Sequence, residues 1–344
     1  MKPLVLKGHS MPITSLQFNK DNDLLFSASK DRFITLWSSE YGERIGTYSH
    51  SAAVYAMNVD DESKYLISSD STGFVYIWEA SSGENIHKFS LKGLPLVHSV
   101  NFNYNNDLIS VGYGGRGSKS DSKIDIYKFS ELLTKKKDVE PIKTILIPNK
   151  DKISKSRWFD LGKSILATSE TGNIYKYDYE TTNLLLQKKI HDNIIMDIDV
   201  SPKEELILTA SKDGKAKVLN PDTFDVMSEL FPQNPVRNIN ACRFNPLISS
   251  TDEKVVKYHA FIAGGQESRD VTTTASKKGG FETLIYDCMF GEELGAILGH
   301  FGPVNALAVS SDGEILASGS EESSIRVHKI NIDEYNNLER KLFY

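Results

Sequence analysis

The sequence predicts an all-β fold, a seven-bladed propeller, on three observations. First, a short β-run closed by one large residue recurs seven times. Phe33-Ile34-Thr35-Leu36-Trp37 and Phe74-Val75-Tyr76-Ile77-Trp78 are the clearest copies. Later runs close at Tyr127, Tyr177, Leu219, Tyr286 and His328, with gaps of 41, 49, 50, 42, 67 and 42 residues. Second, a histidine stands 28 residues before four closing positions: His9, His50, His191 and His300. Third, an apolar residue stands 19 before five of them: Phe18, Val59, Trp158, Val200 and Val309. A fixed period of about 40 residues built from short strands is the signature of propeller blades.

Within a unit the strands follow in order. Ile13-Thr14-Ser15-Leu16-Gln17-Phe18 alternates with period two, and Asn19 to Asp23 turns the chain. Leu24 to Ser29 is the next strand and Lys30-Asp31-Arg32 the next turn. The third and sixth units fit only with insertions. Phe102 to Tyr127 is 6 residues too long and Phe244 to Tyr286 is 23 too long, which places the extra chain near 114–122 and 267–280. The segment Leu4-Val5-Leu6 precedes the first repeat. A strand over residues 3–7 is expected to complete the last blade, closing the ring and covering sheet edges. Residues 1–330 are thus read as the propeller and 331–344 as a tail. Ile332, Tyr335, Leu338 and Leu342 have the spacing of one helical face, so the tail reads as a short helix packed on the rim, with a frayed end or a second docking element as the alternatives.

The repeats resemble the WD40 family. Gly8-His9 and Gly299-His300 keep its Gly-His signal, and Trp37-Ser38, Trp78-Glu79, Tyr177-Asp178 and Tyr286-Asp287 are degenerate forms of its closing dipeptide. The resemblance implies a structural tetrad of His9, Ser27, Asp31 and Trp37 in the first unit. Its partial copies are His50, Ser68 and Trp78 (with Thr72 at the acidic position), then His191, Thr209 and Asp213, then His300 and Ser318. Chemically, a turn carboxylate accepts from the imidazole, whose other nitrogen bonds a hydroxyl that accepts from the indole. A Ser, His and Asp together also suggest a nucleophilic triad. An active site is unique, whereas this arrangement recurs at a fixed phase, and no Gly-x-Ser-x-Gly elbow accompanies it.

Composition excludes several function classes. Forty basic against 46 acidic residues give a net charge of −6, unlike the basic excess of a general nucleic-acid binder. No run approaches the ~18 apolar residues needed to span a bilayer, and the N-terminus has no signal-peptide core. Cys242 and Cys288 exclude a disulfide scaffold and a four-thiolate zinc site, and no glycosylation sequon occurs. These features point to the cytosol or nucleus.

Gly112-Tyr113-Gly114-Gly115-Arg116-Gly117 matches a dinucleotide-binding fingerprint. A strand rather than a helix follows, so it reads as a hairpin insertion. Lys135-Lys136-Lys137 reads as a solvated run, with RNA or an acidic partner as the alternative. His87, His98 and His259 are isolated. No catalytic, cofactor-binding or metal-binding residue is assigned.

At both ends the resemblance narrows to the subunit i family of eukaryotic translation initiation factor three. The residues that carry it are Ala263-Gly264-Gly265-Gln266-Glu267-Ser268-Arg269-Asp270-Val271-Thr272-Thr273-Thr274, Lys278-Gly279-Gly280-Phe281-Glu282 and Gly299 to Asn305. Leu6-Lys7-Gly8-His9 and Gly42 to Thr47 agree. Ser49-His50 departs from the family's Gly-His, and Ser318 to Ser323 departs from a more Gly- and Asp-rich turn. The resemblance implies a non-enzymatic cytoplasmic scaffold, held by subunits b and g in the assembly that loads the small ribosomal subunit. The Gln266–Thr274 run reads equally as an internal lid on the blade edge or as a docking surface, and on the second reading Gln266, Arg269, Asp270 and Thr272 are candidate partner contacts. The alternative reading is a WD40 adaptor of the receptor- or kinase-associated type that recognises peptide or phosphopeptide motifs.

Overall fold

A computed structural model describes residues 3–91, 93, 95–114, 121–134, 139–232, 237–246, 258–265, 280–331 and 335. Seven four-stranded antiparallel sheets follow one another along the chain, and the fold is a seven-bladed β-propeller. The expected closure is present: Leu4–Lys7 pairs antiparallel with Ser324–Lys329, in the register Leu4↔Val327 to Lys7↔Ser324. This strand has 4 residues, one fewer than expected at its N-terminal end.

Two compact units are distinguished, each with its own packing. In residues 26–37 and 44–195, the second, third and fourth sheets pack face to face. Ile67, Ile77, Val97, Val100, Ile109 and Tyr127 fill the space between second and third. Ile124, Ile126, Ile153, Trp158, Ile165 and Tyr175 fill the next space. In residues 1–25, 38–43 and 196–344, the fifth and sixth sheets share Leu208, Val218, Ile239, Cys242, Ile262 and Cys288. The sixth and seventh share Phe261, Ile285, Val304, Leu307 and Leu316. Neither cysteine is in a disulfide, and both thiols are sealed in the apolar core.

Period-two patterning does not show how these sheets bend. In five blades the register of the innermost strand slips by one residue near its start, at Tyr55, His98, Ser154, Asn240 and Asn305. A second slip sits beside the closing residue, so Trp37 pairs with Arg44 and Trp78 with Asn85. Such bulges add local twist, and here they recur at fixed repeat positions.

Side chains also strap inner strands together. Asn58 Oδ1 accepts from the Phe102 amide at 2.8 Å, and Asp199 Oδ2 accepts from the Phe244 amide at 2.8 Å. Asn101 and Asn240 donate to the carbonyls of Ser156 and Val304.

The fingerprint-like Gly112 to Gly117 lies at a hairpin. Gly114 pairs with Ser122, and the strand Ser122–Lys128 follows; residues 115–120 lie outside the described residues. A short helix, Phe129–Thr134, interrupts the strand pattern. Its Phe129 and Leu132 bury against the second and third sheets, which the strand pattern alone does not reveal.

Candidate functional site

The polar repeat residues form the most organised chemistry in the described chain. In the second blade, Trp78 Nε1 donates to Ser68 Oγ at 2.8 Å, and His50 Nε2 lies 2.7 Å from the same hydroxyl. His50 Nδ1 faces the Tyr48 carbonyl at 3.2 Å. A carbonyl only accepts, so Nδ1 carries the proton and Nε2 accepts from Ser68. The imidazole is thereby held neutral in one tautomer. Burial agrees, pushing the His50 pKa down to about 4. The acidic member is Asp70 rather than the expected Thr72. Asp70 accepts from Tyr76 OH at 2.8 Å, while Thr72 donates to it through both its hydroxyl and its amide. Asp70 thus holds the turn and the Tyr76 phenol, while the imidazole bonds the Tyr48 carbonyl rather than a carboxylate.

The seventh blade repeats the device. His300 Nε2 lies 2.8 Å from Ser318 Oγ, and Nδ1 lies 2.9 Å from Glu322. Glu322 escaped the sequence reading because a longer acid stands where the family places Asp. Burial lowers the His300 pKa. Burial alone would raise Glu322, but bonds from Ser324, His300 and the Phe301 amide outweigh it and hold the carboxyl low.

In the first blade, Trp37 Nε1 donates to Ser27 at 2.8 Å, and Asp31 Oδ1 accepts from the Phe33 amide. In the fifth, Thr209 donates to the Lys217 carbonyl and Asp213 accepts from the Lys215 amide. His9 and His191 are buried.

The third and fourth blades use other residues. Asp125 accepts from Tyr113 OH at 2.7 Å and from Thr144 at 2.6 Å. Asp151 Oδ2 accepts from Thr171, Asn173 and Tyr175 at 2.6, 3.0 and 2.7 Å. Burial opposes ionisation of Asp151, yet the neighbouring donors Ser169, Thr171, Asn173 and Tyr175 outweigh it and depress its pKa.

In the first two blades the tetrad hydroxyls are not presented to solvent. The Ser27 and Ser68 side chains are fully buried, and each hydroxyl already receives an indole N–H.

A different surface is open. The fifth blade's outer strand, Val226–Leu230, meets the sixth blade's turn at Asp287 to Gly291. Ser228 Oγ donates to the Cys288 carbonyl, and Tyr286 OH donates to the Phe231 carbonyl at 2.9 Å. Val226, Met227, Phe231, Met289 and Phe290 along this edge are 41–69% exposed. Asp222, Asp225 and Glu292 are exposed beside them. No sequence period marks this patch, because it joins two segments about 60 residues apart. The predicted contacts Gln266, Arg269, Asp270 and Thr272, and the lysines 135–137, lie outside the described residues.

A family model described as EIF3I matches residues 1–340. Among curated relatives, the chain is 31% identical to eukaryotic translation initiation factor 3 subunit I of Schizosaccharomyces pombe, with 95% of this chain and 96% of that protein covered. It is 33% identical to the Kluyveromyces lactis subunit I, covering 95% and 92%. It is 31% identical to the human subunit I, covering 95% and 96%. The residues that suggested this resemblance therefore mark a relationship running nearly the whole length. The chain belongs to the subunit I family of eukaryotic translation initiation factor 3, and its role is in translation initiation.

Proposed function

We propose that this protein is a non-catalytic scaffold subunit of the initiation factor 3 complex. It works in the cytoplasm and is held by subunits b and g during assembly of the pre-initiation complex on the small ribosomal subunit. The observation that carries this reading is the exposed edge formed by Val226, Met227, Phe231, Met289 and Phe290 on buried, hydrogen-bonded sheets. Exposed apolar side chains on two hydrogen-bonded segments, with the exposed acids Asp222, Asp225 and Glu292 in the same segments, fit a partner segment with apolar anchors and flanking Arg or Lys. The rigid sheets beneath add no ordering cost of their own. The polar clusters, by contrast, are spent internally.

The test is co-purification from nuclease-treated lysate, with a Met227→Asp/Phe290→Asp double variant beside the parent. Subunits b and g should accompany the parent, and the variant should lose at least one of them while melting at the same temperature. Full retention of both by the variant would remove the docking role of this edge. Capture of receptor or kinase assemblies without b and g would favour an adaptor.

A further inference from the structure

Two residues before the closing position, on the third strand of its sheet, the fold repeatedly places a polar side chain and gives it a partner. Tyr76 OH donates to Asp70 at 2.8 Å in the second blade, and Tyr175 OH to Asp151 at 2.7 Å in the fourth. In the third, Asp125 accepts from Tyr113 OH and from Thr144. In the fifth, Lys217 Nζ lies 2.9 Å from Glu229 Oε1. Each polar group is met by one of complementary chemistry, as polar groups withdrawn from water generally are.

The seventh blade places Arg326 at this position, in register with Ser318 on one side and Val5 on the other. Its Nε is sealed from solvent and has no hydrogen-bond partner among the described residues. The carboxylate of the adjoining turn is engaged elsewhere. Glu322 Oε1 lies 2.9 Å from His300 Nδ1 and accepts from Ser324 at 2.7 Å, while Oε2 accepts from the Phe301 amide at 3.0 Å. A Cβ on Gly299 would meet Arg326 Cδ at 2.9 Å and Nε and Nη1 at 3.1 Å, so the glycine backbone lies against the guanidinium and fixes its place. Arg326 as a whole is only partly buried, which leaves the rest of the group open to approach. Leu298 and Phe301, on either side of Gly299 and His300, are 72% and 82% exposed. A guanidinium does not shed its proton. The blade therefore holds one fixed positive charge, partly withdrawn from water and without the anion that would offset that cost.

We propose that Arg326 anchors a carboxylate-binding site, which takes an aspartate or glutamate side chain of an acidic partner peptide whose neighbouring apolar residues lie on Leu298 and Phe301. With Nε sealed, Nη1 and Nη2 are the pair that a carboxylate can bridge. A single charge suits a monoanion. Burial, with the Arg326 charge adding to it, lowers the pKa of His300 and takes that of His328 to about 4, so neither imidazole supplies a second charge at neutral pH. A phosphoryl dianion calls for a cluster of cations. This inference stands independently of the Val226 to Phe290 edge.

NMR titration of the full-length chain, labelled with nitrogen-15 in arginine and glycine, tests it with the peptide acetyl-Phe-Asp-Leu-amide. The Arg326 side-chain signal and the Gly299 amide should shift saturably. The same peptide with Asn in place of Asp should bind about tenfold more weakly, the scale of one charged hydrogen bond. That comparison needs no variant. Arg326→Met should lose the response yet melt no lower than the parent, because an unmatched charge has been removed. No saturable shift in the parent, equal binding of the Asp and Asn peptides, or retained binding by Arg326→Met would each overturn the site. A marked fall in the melting temperature of Arg326→Met would also overturn it, by showing the cation to be matched within the fold. Tighter binding of inorganic phosphate at the same signals would overturn the carboxylate assignment in favour of phosphoryl groups.

Discussion

The second and fourth blades meet the same architectural demand with different chemistry. In the second, His50, Ser68 and Trp78 form a chain of neutral donors and acceptors, with Asp70 held by Tyr76 and Thr72. In the fourth, Ala167 stands where Ser68 stands, ten residues before the closing position, and Tyr177 replaces the tryptophan. No hydroxyl is left to link an imidazole to an indole. Asp151 instead gathers Thr171, Asn173 and Tyr175 around a charged oxygen. The period of the repeat sets where a polar cluster must close the blade's edge. It does not set which residues close it. A neutral chain and an ion-centred cluster are interchangeable in place, but they differ in how they fail.

The largest expected difference comes from truncating the closing residue. Trp78→Ala removes a buried indole and strands the Ser68 hydroxyl, and should destabilise by ~3–5 kcal/mol in chemical unfolding. A loss below ~1 kcal/mol would show that the tetrad is not what stabilises the blade. Acid separates the two blades next. His50 is held neutral with a folded-state pKa near 4, below its ordinary value of 6.5. Its contribution is present above pH 6.5 and is lost as pH falls from there to about 4, on the order of 3 kcal/mol in all. Asp151 is depressed below 3.8, so its contribution survives that whole window and fails only at lower pH. A His50→Gln variant should therefore flatten the dependence of Tm on pH between 6.5 and 4, whereas Asp151→Asn should leave that slope unchanged. Asp151→Ala at neutral pH strands three donors and should cost roughly 2 kcal/mol. Tyr175→Phe removes one donor and keeps the ring, costing about 1 kcal/mol by thermal denaturation. If Tyr175→Phe proved as damaging as Asp151→Ala, the phenol rather than the carboxylate would be the centre of the fourth cluster.

Much of the architecture is legible in the residues. The seven closing positions each fall on the third strand of a sheet; for His328 the covering fourth strand is Leu4–Lys7 rather than the strand that follows in the chain. The bulges are not legible, because an extra residue in a strand breaks alternation in the same way a turn does. The acidic partners are only half legible. Thr72 and the Ser318 to Ser323 turn read as departures from the family, yet Asp70 supplies a carboxylate two positions earlier and Glu322 supplies one at the acidic position itself. A residue-type template at fixed spacing misses a side chain whose length or turn geometry makes up the difference. The exposed apolar edge and the contact of Tyr335 with Asn245 are less legible still. Each depends on segments that share no period: Met227 with Phe290, and Asn245 with a tyrosine 90 residues later.

The pairing of Leu4–Lys7 with Ser324–Lys329 has a consequence for how the chain is made. Leu4–Lys7 leaves the ribosome long before its partner strand is made. At roughly 5–20 residues per second, it spends about 15–60 s without its pairing surface. Six blades can form their own sheets during that interval, because each draws its four strands from one contiguous stretch. The seventh cannot. A nascent chain stalled before residue 324 therefore carries a nearly finished ring with an open seam and a loose, mostly apolar leader. That intermediate is the species a chaperone or a protease would meet, and its lifetime is set by the ribosome rather than by the fold.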